Sequence, residues 1–261
     1  MVSQSTPVLA YLKMVRSYTN IVSEFYGMCT HMAEASSDSK YTNEQMTRFK
    51  SLLKRVREAS IAVPTISTDN SSALLTTNLT HFDPSELLKQ SNGTNSLGYV
   101  RTGGGIFGQR PAFPILKPIS TLTASVRHVA ILQAGQSVGY DRAYIAERNV
   151  RIATLTIGFA DGYPRNLGNG EGLVSIHGKL FPVAGNVCMD MMMVDLGASE
   201  DTQGIGSQVC VGDVAYLWGN DENNETSEYI RLEDLSSGLK TTQSALTCGL
   251  DKLRVRRQYV D

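Results

Sequence analysis

The sequence is poor in the features that would place it in many protein classes. None of its four cysteines, Cys29, Cys188, Cys210 and Cys248, forms a C-x-x-C pair, which rules out zinc ribbons and dithiol redox motifs. No metal is expected. The first 25 residues hold Lys13, Arg16 and Glu24 and no continuous apolar run, so neither a signal peptide nor a membrane span is expected there. The net charge is −1, which gives no electrostatic reason for a nucleic acid or an anionic membrane as partner. The local basic cluster from Lys252 to Arg257 reads as a helix or strand end. Scattered cysteines suit a reducing compartment, and a cytoplasmic location is expected. Without a secretion signal, the Asn-x-Ser/Thr triplets at Asn70, Asn78, Asn92 and Asn224 are not expected to carry glycans. No internal repeat or low-complexity block is present.

What remains is an ordinary globular composition, 41% hydrophobic and 19% charged, in a chain long enough for one large domain or two modest ones. Two patterns divide it. Up to about residue 112, helical stretches alternate with short apolar runs. Val8, Leu9, Leu12, Val15 and Tyr18 recur at helical spacing, and Val22 to Thr30 reads as a strand. A polar loop from Ala35 to Tyr41 precedes a helix from Thr42 whose apolar face is Met46, Phe49, Leu52, Leu53 and Val56. Ala62 to Ile66 reads as a strand, and Ser71 to Thr76 opens a further helix. This rhythm predicts a parallel sheet with helical crossovers. From about Ile115 the periods shorten. Leu122, Ala124 and Val126 alternate with polar residues, as does Arg151 to Phe159. Val174 to Ile176 and Leu180 to Val183 flank His177-Gly178-Lys179, a hairpin signal. Met191 to Leu196 and Val209 to Trp218 are further strands, so this region is all-β, a small barrel or a sandwich. A helix from about Ser236 to Lys252 and a strand from Val255 to Val260 are expected to close the chain. Three of the eight prolines fall between Arg110 and Pro118, which puts the boundary there. Gln90 to Asn95 and Asn220 to Thr226 read as exposed loops.

Several short segments carry chemistry. In chain order they are Gly27-Met28-Cys29-Thr30-His31-Met32-Ala33, Thr68-Asp69-Asn70-Ser71-Ser72, Val100-Arg101-Thr102-Gly103-Gly104-Gly105-Ile106-Phe107-Gly108, Val138-Gly139-Tyr140-Asp141-Arg142, Ile157 through Arg165, and Gly185-Asn186-Val187-Cys188-Met189-Asp190. Each is weak alone. Together, in this order, they resemble the alanine racemase family of pyridoxal-phosphate (PLP) enzymes over nearly the whole chain. The resemblance implies an α/β region followed by an all-β one. Residues 1–112 would be the C-terminal part of a PLP-binding (β/α)8 barrel, and residues 113–261 the family's C-terminal β-barrel or sandwich domain. The family's cofactor lysine sits in a V-V-K-A-N-A-Y-G-H-G type segment, and no such segment occurs in this sequence. Only about 110 residues precede the β region, whereas a closed eight-stranded parallel barrel takes about 200 or more. Barrel closure within this chain is therefore not expected.

The resemblance also assigns roles. Racemisation needs a cofactor to hold the amine, a stabilised carbanion, an anchored phosphate and a base on each face of Cα. Tyr140 matches the base for the L-enantiomer's Cα proton; a free tyrosine titrates near about 10, so the role needs a site that favours phenolate or relays its proton. His31 matches the residue that links that tyrosine to an arginine. Arg101 matches the arginine that meets the pyridine nitrogen. Ser71, Gly103 and Gly104 match the phosphate contacts, and Met189 the backbone N–H that meets the substrate carboxylate. Cys188 reads as a packed strand cysteine. Phe159 and Arg165 match entrance positions. Phe159 stands where tyrosine is usual and Ser36 where an acid is usual, so the entrance loses a hydroxyl and an ion pair. The usual phosphate-contacting tyrosine near the C-terminus has no counterpart, Lys252 or Leu253 falling in its place. His81, His128 and His177 show no partner pattern. The implied activity is interconversion of L- and D-alanine by a homodimer whose β-domains complete each other's sites. Two alternatives stand beside it: a racemase of broader amino-acid range, and a non-catalytic remnant of the family.

Overall fold

The computed structural model describes residues 10, 13–14, 26–35, 39–76, 95–109, 116, 118–219, 228 and 230–259. It divides into two compact units, Met1–Leu116 and Lys117–Asp261. Most of the helix expected from Val8 to Tyr18, and most of both expected loops, lie outside the described residues, as do Ser36 and His81. Among the described residues, no helix is long and apolar enough to cross a membrane.

The first unit holds three short parallel strands, β1 (Gly27–Cys29), β2 (Thr65–Ser67) and β3 (Leu97–Gly98), in the order β1-β2-β3. Parallel neighbours need a crossover, and helix α1 (Ser39–Glu58) supplies the one between β1 and β2. Its Phe49, Leu53 and Val56 are buried with Ile61, Val63 and Ile66. The helix starts three residues ahead of the expected Thr42, because Ser39 to Tyr41 contains no breaker. It ends in a Schellman motif. Ser60 turns left-handed at φ 57, the Ser60 N–H meets Arg57 O at 2.8 Å, and the Ile61 N–H meets Val56 O at 3.2 Å. Strand β2 begins later than the expected Ala62, since Pro64 lacks the N–H a ladder needs. A short helix, α2 (Ser71–Leu75), follows β2.

The second unit is a closed antiparallel barrel. Its strands are β4 (Leu122–Leu132), β7 (Val150–Leu155), β8 (Leu173–Ile176), β9 (Lys179–Ala184), β10 (Met192–Ala198) and β11 (Val214–Trp218), in the ring order β10-β7-β4-β11-β8-β9. Closure removes the exposed edge an open sheet would carry, and of the two architectures expected for this region the structure adopts the barrel. Val126, Leu155, Val174, Ile176, Val183, Met192, Val194 and Leu217 fill it. A small hairpin of β5 (Ser137–Val138) and β6 (Tyr144–Ile145) stands beside the barrel strands in sequence. The alternation read up to Phe159 stops at Leu155, beyond which the chain turns through Phe159–Asp161.

The ending differs from expectation. One helix was expected from Ser236; two short ones form, α4 (Leu232–Gly238) and α5 (Gln243–Gly249), following α3 (Ile205–Gln208). Lys240 goes left-handed at φ 51, and Thr242 caps α5 by accepting the Ala245 N–H at 3.1 Å, so the axis restarts. Val255 to Tyr259 pairs with no described strand.

His177 and Gly178 join β8 to β9 with φ of 52 and 78, the left-handed pair of a type I′ hairpin. His177 is not without a partner: its Nε2 lies 2.6 Å from Asp213 Oδ2, which also accepts the Cys210 N–H at 2.8 Å. Partial burial pushes the Asp213 carboxyl up, but the Cys210 N–H and His177 outweigh it and hold it below its ordinary value. A carboxyl lowered in the folded state contributes stability that is present above the unfolded value of about 3.9 and lost as pH falls through the folded one. Asp213→Asn is therefore expected to lower Tm at neutral pH, with the gap to the parent closing in acid. A gap of the same size throughout an acid titration would refute this.

Candidate active site

In the first unit, polar groups gather just past the C-terminal ends of the parallel strands, the end where barrel enzymes place their chemistry. Arg101 pairs with Asn70 in a parallel bridge, and its N–H meets Asp69 O at 2.9 Å. That aims its side chain back under β1 and β2. Nη1 donates to Ser67 O at 3.1 Å and to Ser67 Oγ; Nη2 donates to Thr30 O at 2.7 Å and lies 3.3 Å from His31 Nδ1. Among the described residues Arg101 Nε–H has no acceptor. Guanidinium can only donate. Asn70 Nδ2, a second donor, stands 3.3 Å from His31 Nε2, the same separation as Arg101 Nη2 from Nδ1. Its orientation is fixed by Nδ2 donating to Met32 O and Oδ1 accepting from Ala73 N. A neutral imidazole accepts at only one nitrogen, so the exposed His31 ring is held between two donors.

Beside it, the buried Ser71 hydroxyl accepts the Gly103 N–H at 3.0 Å and the Gly105 N–H at 3.1 Å. The glycine turn wraps this oxygen, with Gln109 N–H closing on Gly104 O at 2.7 Å. A Cβ built on Gly103 would meet nothing within 4 Å, whereas one on Gly105 would press on Thr102 Oγ1 at 2.7 Å. The Gly104 N–H has no acceptor among the described residues, and with the Ser71 hydroxyl beside it the turn offers a phosphate a hydroxyl and a backbone N–H.

In the second unit, Tyr140 opens a 3-10 turn, Tyr140–Arg142, between β5 and β6. Asp141 and Arg142 both take positive φ, 61 and 53, which costs about 1–2 kcal/mol per residue. Asn186 Nδ2 offsets this by donating to Tyr140 O at 3.2 Å and to Asp141 Oδ2 at 3.4 Å, and Arg142 Nε donates to Ser137 Oγ at 3.0 Å. The Tyr140 ring is 65% exposed, and its hydroxyl has no partner among the described residues. Its neighbour Tyr144 is the opposite case: its hydroxyl donates to Asp195 Oδ2 at 2.6 Å, and burial together with that carboxylate pushes it well up. Of these two, Tyr140 is the one whose hydroxyl is free to handle a proton.

Met189 lies in the loop from Gly185 to Met191. The Phe159 N–H meets Cys188 O at 2.9 Å, the Ala160 N–H meets Met189 O at 3.0 Å, and the Cys188 N–H meets Met191 O at 3.0 Å. The Met189 N–H is left without a partner among the described residues. A Cβ on Gly158 would overlap both Cys188 O and Met189 O, so only glycine allows this approach.

Residues 119–259 match the family model for the alanine racemase C-terminal domain, and residues 5–111 that for the alanine racemase N-terminal domain. The chain belongs to the alanine racemase family. An alanine racemase of Halothermothrix orenii is 30% identical over 257 residues, covering 96% of this chain and 60% of that protein. One of Methanococcus maripaludis is 32% identical over 256 residues, with 95% and 60% covered. The chain thus spans about 60% of the length of these curated relatives. Among solved structures, the alanine racemase of E. faecalis is 26% identical with a TM-score of 0.71, over 95% of this chain and 59% of that one. That of Bacillus anthracis with bound L-Ala-P has a TM-score of 0.75 at 24% identity, over 95% and 58%, a likeness of fold.

Within this family member the residues singled out by sequence fall into two groups. His31, Arg101, Ser71, Gly103 and Gly104 come together in the first unit. Tyr140 and Met189 share the second, where Asn186 bonds the Tyr140 turn from three positions before Met189. Cys188 is half-buried, and its thiol faces Asn186 O at 3.7 Å. Lys252 and Leu253 are exposed. The sequence reading missed Arg254, which lies in what was taken for a helix or strand end. Its Nε donates to Asp161 Oδ1 at 2.8 Å and its Nη2 to Asp190 Oδ1. Asp161 pairs with it from 93 residues away, a distance at which no local pattern signals a contact. Gly158→Ala is expected to destabilise the chain by about 1–3 kcal/mol and Gly103→Ala by no more than about 0.5 kcal/mol. Urea unfolding of the two variants side by side checks the contrast, and equal losses would refute the packing argument.

Proposed function

We propose that this chain forms the greater part of a PLP-dependent racemase that interconverts L- and D-alanine. The observation that carries this is the donor arithmetic around Arg101, whose Nη groups are all committed while its Nε–H has no acceptor among the described residues. When bound, PLP supplies the ring that accepts the electrons left on Cα as its proton departs. Ser71 by its hydroxyl and Gly104 by its N–H fit its phosphate, while the Gly103 N–H, already on Ser71 Oγ, holds that hydroxyl in place. Arg101 would hold the ring nitrogen through its Nε–H and would leave that nitrogen unprotonated, since guanidinium does not release its proton. That restrains the electron sink, which suits a racemase that must avoid side reactions. Tyr140 in its phenolate form would take the Cα proton of the L-enantiomer at its oxygen and so become the neutral phenol, with the His31 imidazole of the other copy as its hydrogen-bonding neighbour. The Met189 N–H holds the substrate carboxylate. No residue of this chain is assigned to the opposite face.

In this reading residues 1–112 belong to a (β/α)8 barrel and residues 113–261 to the β-domain. The active form is a homodimer in which Tyr140 and Met189 serve the barrel site of the other copy. The test supplies the segment this sequence lacks. The chain is produced together with the lysine-bearing N-terminal portion of the Halothermothrix orenii relative, and L-alanine conversion is followed by chiral chromatography, with L-serine and L-lysine as further substrates. Turnover of alanine first among these is expected. Tyr140→Phe should slow conversion of L-alanine by about 10²–10⁴-fold, and Ser71→Ala and Arg101→Ala should raise the PLP concentration needed for half-saturation. A complemented chain that binds PLP but turns over no amino acid overturns the proposal in favour of a non-catalytic remnant.

A further inference from the structure

Three segments of the second unit converge on one guanidinium. The first is Gly158 to Asp161, where Asp161 Oδ2 accepts the Gly158 N–H at 2.8 Å. The second is Cys188 to Asp190, strapped to the first by the Phe159 N–H on Cys188 O and the Ala160 N–H on Met189 O, at 2.9 and 3.0 Å. The third is the C-terminal turn from Asp251. There Asp251 Oδ1 accepts the N–H groups of Leu253 and Arg254 at 2.8 and 2.9 Å, and the Asp251 N–H meets Asp161 O at 2.9 Å. Arg254 spans all three, with Nε on Asp161 and Nη2 on Asp190.

Asp190 adjoins Met189 in the chain, and Asp161 ends the turn whose N–H groups hold the Cys188 and Met189 carbonyls. The peptide between Cys188 and Met189 is therefore fixed on both sides by groups that Arg254 binds. That peptide carries the Met189 N–H, the donor left open. We propose that Arg254 is a positioning residue that sets the direction of the Met189 N–H toward a carboxylate ligand, an inference that rests on the assignment of Met189 under the proposed function. Arg254 touches no ligand itself. Its planar fork engages two carboxylates at once, a geometry that a lysine ammonium reproduces at only one of them. The hydrogen bond to Asp161, and then that to Asp190, raise the guanidinium above its ordinary value, so the clamp keeps its charge across the neutral range.

The experiment titrates acetate into the ¹⁵N-labelled full chain and follows the Met189 amide resonance, with Tm measured in parallel. In the parent chain acetate is expected to move this resonance. Arg254→Ala should retain a dispersed spectrum and weaken the acetate response at Met189 by roughly tenfold to a hundredfold, the scale on which a donor misplaced by about 1 Å loses effect. Arg254→Lys should recover part of the response. Asp190→Asn removes only the exposed end of the clamp and leaves Asp161 paired, so it should weaken the response with little change in Tm; it also decides the matter should Arg254→Ala fail to fold. A full parental response in Asp190→Asn or in a folded Arg254→Ala chain overturns the positioning role while leaving the carboxylate site standing. A parent chain whose Met189 amide ignores acetate overturns the carboxylate assignment itself, and the positioning role with it.

Discussion

Asp161 presents a carboxylate almost wholly withdrawn from solvent, and the face of the barrel unit that carries the Met189 loop is organised around satisfying it. A charge so placed costs several kcal/mol unless paired and hydrogen-bonded. One oxygen takes the Gly158 N–H and the other takes Arg254. Each partner imposes a further condition. Reaching Asp161 folds the chain back at Gly158, which lays that residue against two carbonyls and admits no Cβ there. Reaching Arg254 anchors the C-terminal turn, and a left-handed Gly162 lets the backbone pass Gly249 and Leu250 without collision. The loop bearing Met189 inherits its position from both. One buried anion thereby determines where three distant stretches of chain must lie.

The parallel-stranded unit solves a comparable problem with a cation. Pairing of Cys29 with Ser67 places Thr30 O and Ser67 O close enough for one guanidinium to bridge the two strand ends. A fixed fork with five N–H groups requires acceptors in fixed places, and adjacent strands in register provide them. Commitment of Arg101 to β1 and β2 then sets one donor against His31 Nδ1, while Asn70 sets another 3.3 Å from Nε2. A neutral ring accepts from only one of the two, so the hydrogen bonds around His31 place its proton, in the manner that orients imidazoles at many sites.

Much of this was open to inference from local sequence, and the remainder was closed for identifiable reasons. The face of α1, the barrel strands and the His177-Gly178 hairpin each follow from periodicity or turn chemistry within a dozen residues. The start of α1 at Ser39 and the break at Lys240 escaped because helix ends depend on which backbone groups find partners, and apolar spacing says little of that. His177 looked partnerless because Asp213 comes to it from another barrel strand's approach. Arg254 was hidden more deeply. A run of basic residues is most often a solvated end, and only the fold brings Asp161 and Asp190 to one of its members. The motif segments did identify the neighbourhood correctly as a family, since Ile157 through Arg165 and Gly185 through Asp190 supply two of the three stretches the clamp joins.

The groups proposed to act share a physical property that distinguishes them from their neighbours. Tyr140 hydroxyl, Arg101 Nε–H and Met189 N–H lack partners among the described residues, yet each projects from backbone held by several bonds. Buried polar groups are nearly always satisfied within the protein; these are near enough to solvent for water to serve in the interim. Replacing that water by a ligand oxygen or nitrogen requires no rearrangement of the scaffold, which is the condition for electrostatic preorganisation. Tyr144 shows the alternative. The same side chain is useless for proton transfer at Tyr144, because its hydroxyl is already spent on Asp195. The assignment of Tyr140 therefore rests on what its surroundings leave undone, and the left-handed turn that Asn186 stabilises is what keeps its hydroxyl away from any internal acceptor.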